Sequence, residues 1–196
     1  MRIFLKCLAP YLAVIPFCVL SQNAWAAMLT YHAQCLFWSG RHLPNVLSGW
    51  NWKRWIGLSI PFACAGPLAF LLLPMMLKDI TPIQWLQDYG VTRATTLPLI
   101  FYFGLIHPPL EQAHWSRLRQ ATPWAHFAFA GYHGLVLYDL FSWPWLLLSL
   151  AVLAGTSGLW GIIEKKSNGL CMVTLSHILA DTGIAVAAIS IGNPLN

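Results

Sequence analysis

Long stretches without a charged residue alternate with short polar segments along this chain. A membrane-spanning helix needs about 20 mainly apolar residues. Backbone groups in lipid are satisfied only in helices or closed barrels, and runs this long without strict alternation exclude a barrel. The pattern predicts an all-α, polytopic membrane helix bundle that forms one domain over 1–196. About six transmembrane helices are expected, near 7–28, 57–77, 94–116, 121–139, 143–163 and 169–191.

The first predicted helix allows two interpretations. A basic start, MRIFLK, precedes a short apolar centre and the sequence Ala24-Trp25-Ala26, as in a cleaved signal peptide. The apolar character then resumes in AWAAMLTY, and the rest of the chain is itself a membrane domain, which favours a retained helix. Residues 29–56 and 78–93 are polar and contain tryptophan, so they are expected to be connectors lying partly along the membrane interface.

Composition supports membrane insertion. Hydrophobic residues make up 58% of the chain and charged residues 9%, whereas about a quarter of a soluble domain is charged. The net charge of +5 is spread over pairs such as Lys53-Arg54 and Lys165-Lys166 at the ends of apolar segments. This placement is typical of side chains that anchor helices at the membrane interface. It does not form the concentrated basic face that nucleic-acid binding needs. We expect an integral protein of the plasma (inner) membrane, with orientation and oligomeric state left open.

Five ionisable residues in or near the predicted spans are candidates for function, because such groups are rare in membranes and usually face the bundle interior. Glu111 and His114 are three residues apart, and His177 and Asp181 are four apart, so each pair shares a helix face. His133 lies in the middle of its predicted span. Imidazoles and carboxylates together suit zinc or another divalent ion, or an acid–base pair that acts on water.

The other histidines have less conspicuous positions. His107 precedes two prolines and is expected at the interface, and His126 lies near the start of its span. His32 and His42 fall in a predicted connector. These four are expected to have structural roles. Small residues around Gly158 predict close helix packing on the fifth span.

The order of the candidate residues resembles the CPBP family of intramembrane proteases, the CAAX-protease and bacteriocin-processing (Abi) group. That family carries Glu-Glu-x-x-x-Arg, then Phe-x-x-x-His, then His-x-x-x-Asn or His-x-x-x-Asp, on successive helices. The similarity covers roughly 100–190. The matching positions are Glu111 in the first motif, Phe129 and His133 in the second, and His177 and Asp181 in the third.

The resemblance implies hydrolysis of peptide bonds in membrane protein or peptide substrates. Glu111 would activate water against His133, while His177 and Asp181 hold a metal ion or stabilise the oxyanion; with a metal, the ligands would be His133, His177 and Asp181. The chain departs from the family's first motif, since Gln112 replaces the second Glu and Ser116 the Arg. Gln112 and His114 are therefore expected to be auxiliary residues, with His114 replacing a missing polar partner.

Two other functions remain compatible with the sequence. A non-catalytic membrane protein, acting in assembly or as an ion or proton conduit, is favoured by the departures at Gln112 and Ser116. A zinc membrane amidase is suggested by Ser176 beside His177, although such sites need three histidine ligands in a different helix order.

Overall fold

A computed structural model describes residues 2–192, which are almost entirely helical. Within that range the only β feature is an isolated bridge between Leu77 and Phe141. Two π-helical stretches, Val14–Leu20 and Tyr102–Ile106, and one 3₁₀ stretch, Gly40–Leu47, connect α-helices. The α-helices are α1 Arg2–Ala13, α2 Ala24–Ser39, α3 Trp52–Ala63, α4 Ala65–Met76, α5 Pro82–Asp88, α6 Arg93–Phe101, α7 His107–Ala121, α8 Trp124–Leu137, α9 Trp143–Ser167 and α10 Cys171–Gly192.

Four helical segments in the described range are long and apolar enough to cross a membrane, and they indicate a membrane protein. The predicted count of six is not confirmed. Helix α8 has 14 residues, or about 21 Å at 1.5 Å per residue, which is shorter than a bilayer core of about 30 Å. The predicted span 94–116 belongs to a longer charged stretch formed by α6, a π-turn and α7. The four segments are Ile3–Leu20, Trp55–Met76, Trp143–Ser167 and Cys171–Ile191.

The predicted boundaries of the first transmembrane helix, 7–28, and of the connector after it were wrong. The first helical stretch ends at Leu20, and Gln22 adopts a positive φ of 47° where the chain turns. Asn23 then caps a new helix, because its side chain accepts a hydrogen bond from the Ala26 amide at 2.9 Å. Residues predicted to lie in an interfacial connector thus form most of α2.

Helix α7 lies at the centre of the bundle. It contacts α1, α2, α8, α9 and α10. Its buried positions include polar residues on most sides, whereas α4 exposes large apolar side chains such as Leu68 and Leu71. A helix that carries polar groups in an apolar bundle is stable when its neighbours satisfy those groups. The fold therefore surrounds the polar residues of α7 with neighbouring helices.

The π-turn before α7 follows from two adjacent prolines. Pro108 and Pro109 have no amide proton, so the preceding turn loses two i→i−4 hydrogen bonds. The His107 amide instead bonds to the Tyr102 carbonyl, five residues back. A π-turn of this kind lets the helix continue through the prolines, and such turns are frequent at functional sites.

Two glycines bring α4 and α10 into close contact. A Cβ added at Gly66 would lie 2.9 Å from the Gly183 Cα, so the two backbones touch. The predicted close packing of small residues on the fifth span is observed at Ser157, which is fully buried and bonds to His126 on α8, whereas a Cβ at Gly158 would meet nothing within 4 Å. Gly66 and Gly183 allow α4 and α10 to pack closely, as small residues do in many membrane bundles.

Candidate polar site around Glu111

One face of α7 carries His107, Glu111 and His114, at spacings of four and three residues. All three are buried, and Glu111 is fully enclosed, at 0% exposure. The expectation that His107 lies at the interface was wrong: the π-turn keeps it in the helix and directs it into the bundle, where it is 5% exposed.

Two tyrosines hold one oxygen of the Glu111 carboxylate. Tyr31 on α2 donates to Oε1 at 2.8 Å, and Tyr132 on α8 donates to the same oxygen. Trp115 in turn donates its indole N–H to the Tyr31 hydroxyl at 2.8 Å. Charge-assisted bonds of this kind favour the ionised carboxylate. Glu111 is thereby fixed in place by residues from three helices.

The other carboxylate oxygen faces two imidazoles. Glu111 Oε2 lies 3.4 Å from His107 Nε2 and 3.7 Å from His177 Nε2. The predicted pair on α10 is also close, with His177 Nε2 3.1 Å from Asp181 Oδ2. Asp181 Oδ2 is 4.0 Å from His107 Nε2. Four polar side chains from two helices thus converge on one small volume.

Three of these atoms are buried without a partner in hydrogen-bond geometry: His107 Nε2, Glu111 Oε2 and Asp181 Oδ2. Buried polar atoms are almost always hydrogen-bonded, so unpaired ones that lie together call for an explanation. A water, an ion or a polar substrate group at their centre would satisfy them. This cluster of His107, Glu111, His177 and Asp181 is called the Glu111 cluster below.

By distance, His107, Glu111 and His177 could hold a metal ion, since their ligand atoms all lie within 4.8 Å of one another. A tetrahedral zinc ion with bonds of about 2.0–2.1 Å separates its ligands by roughly 3.3 Å. The 3.4 and 3.7 Å spacings around Glu111 Oε2 are near that value. Of the ligand set expected from the sequence, His177 belongs to this three-residue group, whereas His133 and Asp181 do not.

His133 reaches Glu111 through a neighbouring hydroxyl. Its Nδ1 is 2.8 Å from the Phe129 carbonyl, one turn back on α8. Since that carbonyl accepts, Nδ1 carries a proton. Nε2 lies 3.2 Å from the hydroxyl of Tyr132, the same hydroxyl that contacts Glu111. His133 is thus linked to the carboxylate by one intervening side chain.

Gln112 connects the Glu111 cluster to a buried ion pair. Its amide nitrogen is 3.0 Å from His177 Nδ1, and its oxygen accepts from Arg119 Nη2 at 2.6 Å. Arg119 Nη2 lies 3.6 Å from Glu164 Oε2 on α9. Ser116, at the position where the resembled family has Arg, donates to the Glu164 carboxylate. Arg119, not predicted from the sequence, therefore occupies the space beside Gln112.

His114 lies away from the cluster and joins helices. Its Nε2 is 3.1 Å from the Lys6 carbonyl on α1, and its Nδ1 is 3.4 Å from the Ser39 hydroxyl on α2. Both ring nitrogens are used in these contacts. Ser176 is also occupied elsewhere, since its hydroxyl accepts from Trp160 and donates to the Val173 carbonyl.

A chain of aromatic side chains leads away from His107. His107 Nδ1 is 2.8 Å from His32 Nε2, and His32 Nδ1 is 2.8 Å from the hydroxyl of Tyr102. Sequence reasoning missed His32, although it lies in the same charge-free stretch as Tyr31. The i, i+4 spacing of His107 and Glu111 was the available signal for His107. His126, by contrast, bonds to Ser157 at 3.0 Å, in keeping with a structural role.

No family model, curated protein or solved structure matches this chain. The similarity to the CPBP proteases is therefore limited to the motif residues.

Proposed function

We propose that this protein is an intramembrane endopeptidase of the plasma (inner) membrane that hydrolyses peptide bonds of membrane-associated protein substrates. The observation that carries the proposal is the state of the Glu111 carboxylate. Two tyrosines hold one of its oxygens, while the other lies unpaired beside two imidazoles. A general base needs this combination of fixed orientation and an available oxygen.

The reaction needs one proton to be moved twice. A water beside Glu111 Oε2 attacks the peptide carbonyl and gives a proton to that oxygen. His177, whose Nε2 lies 3.7 Å from the same oxygen, donates a hydrogen bond to the developing oxyanion. When the intermediate collapses, the C–N bond breaks and the leaving amine takes the proton from Glu111. The products are a carboxylic acid and an amine, and the carboxylate is regenerated.

The neighbouring residues support these steps. Asp181 Oδ2 lies 3.1 Å from His177 Nε2, so the carboxylate stabilises an N–H at that nitrogen. His107 at 3.4 Å offers a second group that can exchange a proton with Glu111. The Tyr132 hydroxyl, which donates to Glu111, orients the carboxylate and is in contact with His133 Nε2. The roles that the CPBP resemblance implied for Glu111, His177 and Asp181 are compatible with this arrangement.

A lipid-facing groove offers a path for the substrate. The side chain of Asp181 is 12% exposed, whereas that of Glu111 is fully buried. The next residue, Thr182, lines an apolar groove of about 540 Å³ between α4 and α10. Both helices belong to segments that can cross a membrane, so a substrate helix would approach this groove from within the bilayer.

Cleavage of membrane proteins by reconstituted protein tests the proposal. Proteoliposomes that also contain a mixture of solubilised membrane proteins are incubated, and new peptide N-termini are identified by mass spectrometry. Wild type should generate N-termini that Glu111→Gln does not, because the amide cannot accept the proton. Asp139→Asn is the matched control, since that carboxylate bonds to Tyr89 outside the cluster. Identical N-termini from wild type and Glu111→Gln would refute the proposal.

The hydrogen-bonded chain of Tyr102, His32 and His107 favours a second function, that of a proton conduit. Neutral imidazoles can accept a proton at one nitrogen and release one at the other. The chain runs from Tyr102, which is partly exposed, to the buried Glu111 cluster. Charge carriers buried in membrane bundles often form such relays.

Proton flux into dye-loaded proteoliposomes under an imposed potential tests this second function. A conduit should lose its proton flux in His32→Phe and keep it in His42→Phe, because His42 is not part of the hydrogen-bonded series from Tyr102 to His107. Proton flux without proteolysis would favour the conduit. Proteolysis without flux would mean that Tyr102, His32 and His107 exchange protons only within the site.

A further inference from the structure

The contact between Arg119 and Gln112 determines which way the Gln112 amide points. A guanidinium has donors and no acceptor. The group that lies 2.6 Å from Arg119 Nη2 is therefore the amide oxygen. The amide NH₂ then points at His177, with Nε2 3.0 Å from Nδ1.

This orientation determines the tautomer of His177. Since an amide NH₂ donates, His177 Nδ1 must accept and cannot carry a proton. A neutral imidazole has one N–H, so the proton lies on Nε2. That nitrogen is the one next to Asp181 Oδ2 at 3.1 Å and Glu111 Oε2 at 3.7 Å. The N–H of His177 thus lies on the side of the two carboxylates, with Asp181 Oδ2 the nearer oxygen.

Arg119 is itself held in place, so the amide cannot easily reverse. Its side chain is 1% exposed and lies 3.6 Å from Glu164 Oε2. Ser116 and Gln120 both donate to the other oxygen of Glu164. Gln112 is also buried, at 1% exposure. Reversing the amide would turn its NH₂ toward a buried cation and leave Arg119 without its acceptor.

We infer that Gln112 is a positioning residue that holds His177 in the Nε2–H form, which makes His177 a proton donor in the cluster instead of a metal ligand. A histidine that binds a metal offers a lone pair and usually donates its other N–H to an acceptor. Here the partner of Nδ1 is a donor, so the three-residue group fits a metal by distance and not by hydrogen bonding. The donor role of His177 in hydrolysis rests on the proposed function; the tautomer does not.

A single substitution should reverse this selection. In Gln112→Glu, the carboxylate can pair with Arg119 and accept the Nδ1 proton of His177, which leaves Nε2 with a lone pair toward the cluster. Gln87→Glu is the matched control, because Gln87 is exposed on α5. The two variants add the same charge at different places.

Nitrogen NMR of ¹⁵N-histidine-labelled protein in nanodiscs reads the tautomer directly. The His177 signals are assigned by their loss in His177→Asn. Wild type and Gln87→Glu should show a protonated Nε2 and an unprotonated Nδ1, and Gln112→Glu the reverse. A protonated Nδ1 in wild type would overturn the inference.

Zinc binding gives an independent readout that does not need a substrate. Outer-shell partners of metal ligands typically change metal affinity by about 10–100-fold. Gln112→Glu should therefore bind zinc at least about 10-fold more tightly than wild type or Gln87→Glu. Stoichiometric zinc in wild type that is as tight as in Gln112→Glu would contradict the inference. If no peptide is cleaved by any variant, the proposed function fails while the NMR and zinc results still decide the tautomer.

Discussion

His107 Nε2 lies 3.4 Å from Glu111 Oε2, one turn apart on a helix that crosses the centre of the bundle. Neither atom has a partner in hydrogen-bond geometry. The pair exists because a π-turn carries the helix through Pro108 and Pro109 and so keeps His107 in register with Glu111. Two adjacent prolines thus place an imidazole beside the proposed general base.

Replacing His107 should affect activity strongly. His107→Ala removes a group that can exchange a proton with Glu111, and acid–base partners typically contribute 10²–10⁴-fold to rate. We expect peptide cleavage to fall by about 10²-fold. Rates measured with the substrate found by N-terminal mass spectrometry provide the check, and His42→Ala, in the 3₁₀ segment, should retain the wild-type rate. Equal rates for His107→Ala and wild type would show that the imidazole takes no part.

Removing either tyrosine hydroxyl on Glu111 should destabilise the fold. Tyr31→Phe and Tyr132→Phe each delete a hydrogen bond to a buried carboxylate, and bonds to charged groups are worth about 1.5–3 kcal/mol. The free energy of unfolding, measured by denaturation in mixed micelles, should fall by that amount. Tyr89→Phe deletes a tyrosine–carboxylate bond to Asp139 elsewhere, so its effect on cleavage should be small. Undiminished cleavage in both site variants would mean that Glu111 needs no such orientation.

The glycine contact between α4 and α10 predicts a packing defect. In Gly183→Ala the new Cβ would lie 3.0 Å from backbone atoms of Gly66, which cannot move as a side chain could. Overpacking of this kind costs about 1–3 kcal/mol, and we expect that loss in the free energy of unfolding. Gly158→Ala has open space around it and should be neutral or slightly stabilising. A stable Gly183→Ala protein would mean that the two helices separate easily.

Removing one partner of the Arg119–Glu164 ion pair should destabilise the fold more than replacing both partners. Arg119→Met leaves Glu164 buried without its cation, and removal of one partner from a buried pair costs about 3–5 kcal/mol. Because replacement of both partners by apolar residues is often neutral, Arg119→Met/Glu164→Met should recover much of the lost stability. Unfolding free energies of the single and double variants test this. A double variant less stable than Arg119→Met alone would contradict it.

The sequence by itself determined the membrane character and the helical class, because long charge-free stretches have few structural solutions in lipid. It also placed α9 and α10 within a few residues of their observed bounds. The pairing of His177 with Asp181 was predictable, since a spacing of four residues on a helix is a local property. Glu111 was identifiable for a related reason. A carboxylate at the end of an apolar run costs free energy unless it is paired or has a function.

Only the tertiary structure decided which side chains from other helices meet Glu111. Tyr31 is 80 residues away along the chain, and no local pattern indicates that α2 packs against α7. His107 appeared interfacial because Pro-Pro usually marks a helix boundary, whereas in the structure a π-turn carries the helix through the prolines. Periodicity reports which residues share a face of one helix, whereas packing decides what that face meets.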